Sequence, residues 1–127
     1  MYTLYYSPNA CSLATHTILN LLGQDVDIVP SSSVNNFAEI SPAKVVPILK
    51  DGETVLREGA AIILYLLNKH ENDLLPKDPA ARQAAIQNLM LANASMHPAY
   101  SRLFFTNGVL EDGVDKNTVF NAAADNI

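Results

Sequence analysis

The spacing of apolar positions changes several times along the chain, and each change marks a new element. Tyr2 to Tyr6 is a short β-prone run closed by Ser7-Pro8-Asn9, which predicts a strand ended by a turn. From about Cys11 to Leu22, Ala14, Ile18, Leu21 and Leu22 recur at helical spacing, and Gly23 is a natural stop. Val26 to Val29 predicts a second strand ended by Pro30, and polar Ser31 to Ser41 leaves room for a short helix near Phe37 to Ile40. Val45 to Leu49 predicts a third strand. Proline cannot donate to a ladder, so Pro47 must sit at its start or edge. Asp51-Gly52 reads as a hairpin turn before a returning strand, Thr54 to Leu56. Glu58 to Asn68 is apolar nearly all round, which predicts a buried helix.

This order, βαβ, short helix, ββ hairpin, helix, specifies an α/β unit with a mixed four-stranded sheet and helices on its faces. Polar Lys69 to Pro79 contains Pro76 and Pro79 and reads as a linker, dividing the chain into residues 1–75 and 76–127. Beyond it, Ile86, Leu89, Met90, Asn93, Met96, His97, Tyr100, Leu103 and Phe104 recur at threes and fours. They predict one long amphipathic helix ending near Phe105, broken by Asn107-Gly108, with a weaker acidic helix starting around Lys116. The second unit therefore reads as the start of an all-α domain.

Composition narrows the function classes. With 49% hydrophobic and 17% charged residues, the 127-residue chain is neither disordered nor a membrane protein. The apolar run Gly59 to Leu67 is far shorter than the ~20 residues a bilayer span needs. The start, Met1 to Tyr6, lacks a positive n-region, so a cytoplasmic location without a leader is expected. Net charge is −5 and no Lys or Arg precedes Lys44, which argues against a nucleic-acid surface. A single cysteine, Cys11, excludes an internal disulfide and a Cys-x-x-Cys dithiol cycle. With His16, His70 and His97 scattered along the chain, no metal site is expected.

Five places could carry chemistry, and each has a plain structural alternative. Cys11 lies at a strand-to-helix turn, where free N–H groups and the helix dipole can lower a thiol pKa from ~8.5 into the range ~3.5–7.5. Ser12 offers a hydroxyl that could donate to a sulfur anion. The alternative is a half-buried Cys packing with Ala14 and Ile18, and a serine at a helix start. Of Tyr5 and Tyr6, adjacent on a strand, only one can point at the Cys11 turn; both also serve as aromatic filler. A cis Val46–Pro47 bond would turn Val46 N–H and C=O toward an extended peptide, although trans is the default. Glu58 can accept from an ammonium group while Gly59 N–H approaches a carboxylate, or Glu58 is simply an acidic residue at a helix start. His97-Pro98 should kink the long helix and leave the Ala94 carbonyl without its usual donor. That would aim His97 into a cleft, or leave it in a packing seam.

Taken together, the ordered set resembles the glutathione transferases, most closely the bacterial beta class. It comprises Tyr5-Tyr6-Ser7-Pro8, Ala10-Cys11-Ser12-Leu13, Ser41-Pro42, Val46-Pro47-Ile48-Leu49, Glu58-Gly59 through Leu66, and His97 with Ala99 to Phe104. The resemblance implies a thioredoxin-like N-terminal domain with Pro47 cis, followed by an all-helical domain. It implies glutathione as substrate, with Cys11, Ser12 and Tyr6 at its sulfur and a mixed disulfide available to Cys11. Val46, beside Pro47, would bind the cysteinyl backbone, Glu58 and Gly59 the γ-glutamyl end, and His97 would line the cleft from the helical side. The implied reaction adds the glutathione thiolate to a small hydrophobic electrophile, with thiol–disulfide exchange as a side activity; the implied assembly is a homodimer.

The sequence departs from the family pattern in one loop and at two helix positions. Ser31 to Ser33 and Asn35-Asn36 stand where a basic residue usually meets a glutathione carboxylate, leaving Lys44 as the local cation. Met90 replaces a frequent Asn, and Pro98 a frequent Lys. The resemblance also implies a longer helical half than this chain carries. The expectation is therefore an exposed stripe from Ile86 to Phe104, a dimer or swap that covers it, or a fragment of a longer protein. The other readings are a non-catalytic transferase-like interaction module and a single-cysteine glutathione-dependent thiol reductase.

Overall fold

Alternation along the first strand sets the layering. In the computed structural model, which describes residues 1–110 and 112–125, β1 (Tyr2–Tyr6) buries Tyr2 and Leu4 on one face. It pairs in parallel with β2 (Val26–Pro30) and antiparallel with β3 (Ile48–Asp51), which pairs antiparallel with β4 (Thr54–Arg57). The sheet order is β2-β1-β3-β4, the mixed four-stranded sheet that the sequence specified.

Helices α1 (Ser12–Leu21) and α2 (Gly59–Lys69) pack on the same face, not on both. Leu19 of α1 and Ile62 and Leu66 of α2 close over Tyr2, Leu4 and Leu49. Burying each such aliphatic side chain contributes about 1.5–3 kcal/mol. On α2, Ala60, Ile62, Ile63 and Leu66 are buried while Ala61 is exposed, so the helix is covered on one side only. The opposite sheet face carries Tyr5 against Phe37, ring centroids 5.9 Å apart, and buried Ile48.

The boundaries have local causes. Gly23, at φ +63°, ends α1 with paired bonds, Gln24 N–H to Leu19 O and Gly23 N–H to Asn20 O, both 3.0 Å. The third strand begins after Pro47, not at Val45, because the cis Val46–Pro47 bond turns the chain before pairing starts. The hairpin turn is Gly52-Glu53, one residue later than expected, since Asp51 still pairs with Thr54 and Gly52 takes φ +59°. Asp51 then accepts from Tyr65 Oη at 2.6 Å and pairs with Lys69, tying the hairpin to the end of α2. Tyr2 Oη and His70 Nε2 are hydrogen-bonded at 2.7 Å at the same end of the sheet.

The chain forms two compact units, Met1–Asp78 and Pro79–Ile127. In the second, α3 (Pro79–Leu91) continues through a π-helical turn, Ala92–Met96, into α4 (His97–Val109), which packs on α5 (Val114–Ala124). The π turn answers Pro98. His97 N–H bonds Ala92 O, five residues back, so the widened turn leaves room for the proline ring. Asn107-Gly108 does not break the helix, which runs on to Val109. Among the described residues of this unit only Thr106 is buried. Met96 (50% exposed), Tyr100 and Phe104 (73%) leave much of the predicted apolar stripe uncovered within the unit.

Candidate functional site

Strand direction decides where the chemistry gathers. β1, β2 and β4 end at the edge of the sheet where β3 begins, so the Cys11 turn, the Val46–Pro47 bond and Glu58 share that end. After β1, Ala10 N–H bonds Ser7 O at 3.3 Å and Asn9 takes φ +57°, folding a tight turn that delivers Cys11 to the start of α1. The Cys11 thiol is exposed at its rim and donates to Val46 O at 3.2 Å. Val46 is half-buried, with its peptide bond to Pro47 cis.

Glu58 precedes α2 at φ +67° and ψ 116°, outside the ordinary left-handed region, and its carbonyl accepts from Ile62 N–H at 3.0 Å. A side chain held in such backbone costs about 1–3 kcal/mol, a pattern that concentrates at functional sites. Glu58 itself is exposed, and Gly59 opens the helix behind it. Nearby, Arg57 Nη2 donates to Ile40 O at 2.9 Å, which ties β4 to the loop that leads to Val46.

The electrostatics correct one expectation. The Cys11 thiol is pushed up from its ordinary value, not lowered. Desolvation is the largest cause; the Cys11 and Ser12 backbone N–H groups pull the other way, and the Glu58 carboxylate adds to the rise. The S–H bond to Val46 O acts the same way, because only the neutral thiol can donate it.

The other sequence candidates fall differently. Ser12 is buried, and its hydroxyl donates to Ser7 O and accepts from Ser7 N–H, each at 3.3 Å, so its proton is directed at Ser7 and not at sulfur. Tyr6, half-buried, ends β1 opposite Pro30 on the Tyr2–Leu4 side of the strand, whereas Tyr5 faces Phe37. Lys44 is exposed at φ +54° two residues before Val46. His97, in the helical unit, is exposed on a shallow apolar depression of ≈ 560 Å³ between α4 and α5. Ser41 has no chemical role legible in the spacing of the sequence. It is buried, donates to Val45 O at 3.0 Å and accepts from Val45 N–H at 3.1 Å. The only sequence signal for it was its place in Ser41-Pro42, shortly before Val46-Pro47.

Residues 1–74 match the glutathione S-transferase N-terminal domain. The chain belongs to the glutathione S-transferase family. Among curated relatives, a glutathione S-transferase of Xanthomonas campestris is 31% identical over 115 residues, covering 86% of this chain and 56% of the relative. A zeta-class glutathione S-transferase of Euphorbia esula is 32% identical over 100 residues, 73% of this chain and 44% of the relative. In structure, a glutathione S-transferase from Xylella fastidiosa superimposes with a TM-score of 0.86 at 27% identity, covering 99% of this chain and 65% of that one. The chain spans about half the length of the curated relatives it matches. Its thioredoxin-like sheet, followed by helices, is the glutathione S-transferase arrangement. The matched segment contains Cys11, Val46 and Glu58, while His97 lies beyond it.

Proposed function

We propose that this chain is the glutathione-binding part of a beta-class-like transferase that adds the glutathione thiolate to small hydrophobic electrophiles and supports disulfide exchange at Cys11. The observation that carries this reading is the convergence of Cys11, Val46 and Glu58 at one end of the sheet, with Cys11 Sγ 3.2 Å from Val46 O. A peptide thiol laid along that end would pair its backbone with Val46 beside Pro47. Its γ-glutamyl ammonium would face Glu58, its α-carboxylate the Gly59 N–H, and its sulfur the start of α1. Lys44 is the cation available to the remaining carboxylate.

Under this reading, the backbone N–H groups of Cys11 and Ser12 hold the glutathione thiolate, and Tyr6 flanks it. Cys11, kept neutral by its surroundings, acts as an S–H donor in conjugation. In exchange, its thiolate attacks a sulfur of glutathione disulfide. A Cys11–glutathione disulfide forms, and one glutathione leaves as thiolate. The same reading assigns His97 to the electrophile and gives the protein a cytoplasmic location and a homodimeric assembly.

Calorimetric titration of the folded chain with reduced glutathione tests the proposal. Binding at millimolar or tighter affinity supports it. A folded chain that takes up no glutathione overturns it in favour of the non-catalytic interaction module.

A further inference from the structure

We infer that Ser41 is a positioning residue for the Cys11–Val46 contact, acting through the backbone of Val45, and that Ser12 is its counterpart, acting through Ser7. The two serines make the same device. Each is 1% exposed, and each hydroxyl serves both backbone polar groups of a single residue. Ser41 Oγ donates to Val45 O at 3.0 Å and accepts from Val45 N–H at 3.1 Å. Ser12 Oγ donates to Ser7 O and accepts from Ser7 N–H, both at 3.3 Å. A hydroxyl has one proton and two lone pairs, so one serine can satisfy both groups where no ladder partner is present.

The clamped residues flank the sulfur contact on its two sides. Val45 immediately precedes Val46, whose carbonyl receives the Cys11 proton, and Ser7 O accepts from Ala10 N–H to close the turn that delivers Cys11 to the start of α1. The Ser41 clamp is itself anchored. Ser41 N–H donates to Phe37 O, and Lys44 N–H to Ser41 O, each at 2.8 Å. Ser7 Oγ is held to Ser31 Oγ at 3.0 Å. The groups facing the sulfur are the Val46 carbonyl, the Cys11 and Ser12 backbone N–H groups and the Glu58 carboxylate. The Ser41 hydroxyl is bonded to Val45, so its influence on the thiol runs through the placement of Val46.

Cys11 is the only cysteine, so alkylation by iodoacetamide reports on it alone. Ser41→Ala releases Val45, weakens the S–H bond to Val46 and moves the alkylation midpoint to lower pH. At neutral pH that is about threefold faster reaction, half a pKa unit. Ser41→Thr keeps the hydroxyl and restores the original profile. In the unsubstituted chain the Val45 amide, outside any strand but bonded to Ser41 Oγ, should exchange slowly with deuterium. A folded Ser41→Ala chain with an unchanged pH profile overturns the inference. So does free exchange of the Val45 amide, a measurement that stands even where Ser41→Ala fails to fold.

Discussion

The thiol of Cys11 donates a hydrogen bond to the carbonyl of Val46 at 3.2 Å, across 35 residues of sequence. Its orientation has a chemical meaning. The bond exists only while sulfur keeps its proton, so it works with desolvation and with Glu58 to hold the thiol neutral. The start of α1 offers free N–H groups that would favour a thiolate, yet the surroundings outweigh them.

Glu58→Gln tests the electrostatic part of that balance. The carboxylate disfavours a second negative charge on Cys11, so removing it lowers the thiol pKa. Iodoacetamide should react about two- to threefold faster near pH 8, with the whole pH profile displaced to the acid side. Added salt should diminish the difference, because the interaction crosses a solvent-exposed rim.

Cys11→Ala separates the two activities proposed for the site. Exchange with glutathione disulfide, read by mass as the mixed disulfide, should vanish. Conjugation to an aromatic electrophile should fall by about tenfold or less if backbone N–H groups at the start of α1 carry most of the thiolate stabilisation. Loss of conjugation as well would make Cys11 the principal sulfur-activating group.

Asp51 carries a pH prediction far from the sulfur. Its carboxyl is held below the usual value by Lys69 first and then by Tyr65. A carboxylate depressed in the folded state adds stability above its unfolded pKa of about 3.9, and that stability is lost as pH falls through the lower folded value. Asp51→Asn should therefore lower Tm by a few degrees at neutral pH and flatten the acid limb of the Tm–pH curve.

Leu66→Ala probes the core shared by both helices and the sheet. Leu66 is fully buried among Tyr2, Leu4, Leu19, Leu49 and Ile62. Its truncation should cost about 2–5 kcal/mol in urea unfolding of the first unit. A cost below about 1 kcal/mol would mean that the site collapses around the gap.

The sheet and the first two helices were legible because their hydrophobic periods are strong and their ends carry proline or glycine. Val46–Pro47 was different. Spacing favoured trans, and only the family resemblance implied the cis bond that is present. The sign of the Cys11 shift was not legible, because a helix-start argument counts local N–H groups, whereas desolvation and Glu58 arrive through tertiary structure. The target of the Ser12 hydroxyl was hidden for a different, local reason: its partner Ser7 lies back in the preceding turn, whose geometry the helix-start argument does not include. Asn107-Gly108 misled because one interior glycine costs a helix only about 1 kcal/mol, which tertiary packing can override.

Among the described residues, every non-glycine with positive φ sits at the end of the sheet that carries Cys11, Val46 and Glu58: Asn9, Asn36, Lys44 and Glu58. At the opposite end, the left-handed turns belong to Gly23 and Gly52. The fold is therefore not equally optimised along its strands. Protein engineers seeking a higher melting temperature would find easy gains by placing glycine at Lys44 or Glu58, where backbone strain would be relieved. They would be loosening the residues that frame the sulfur, so thermostability and chemistry compete for the same few backbone torsions.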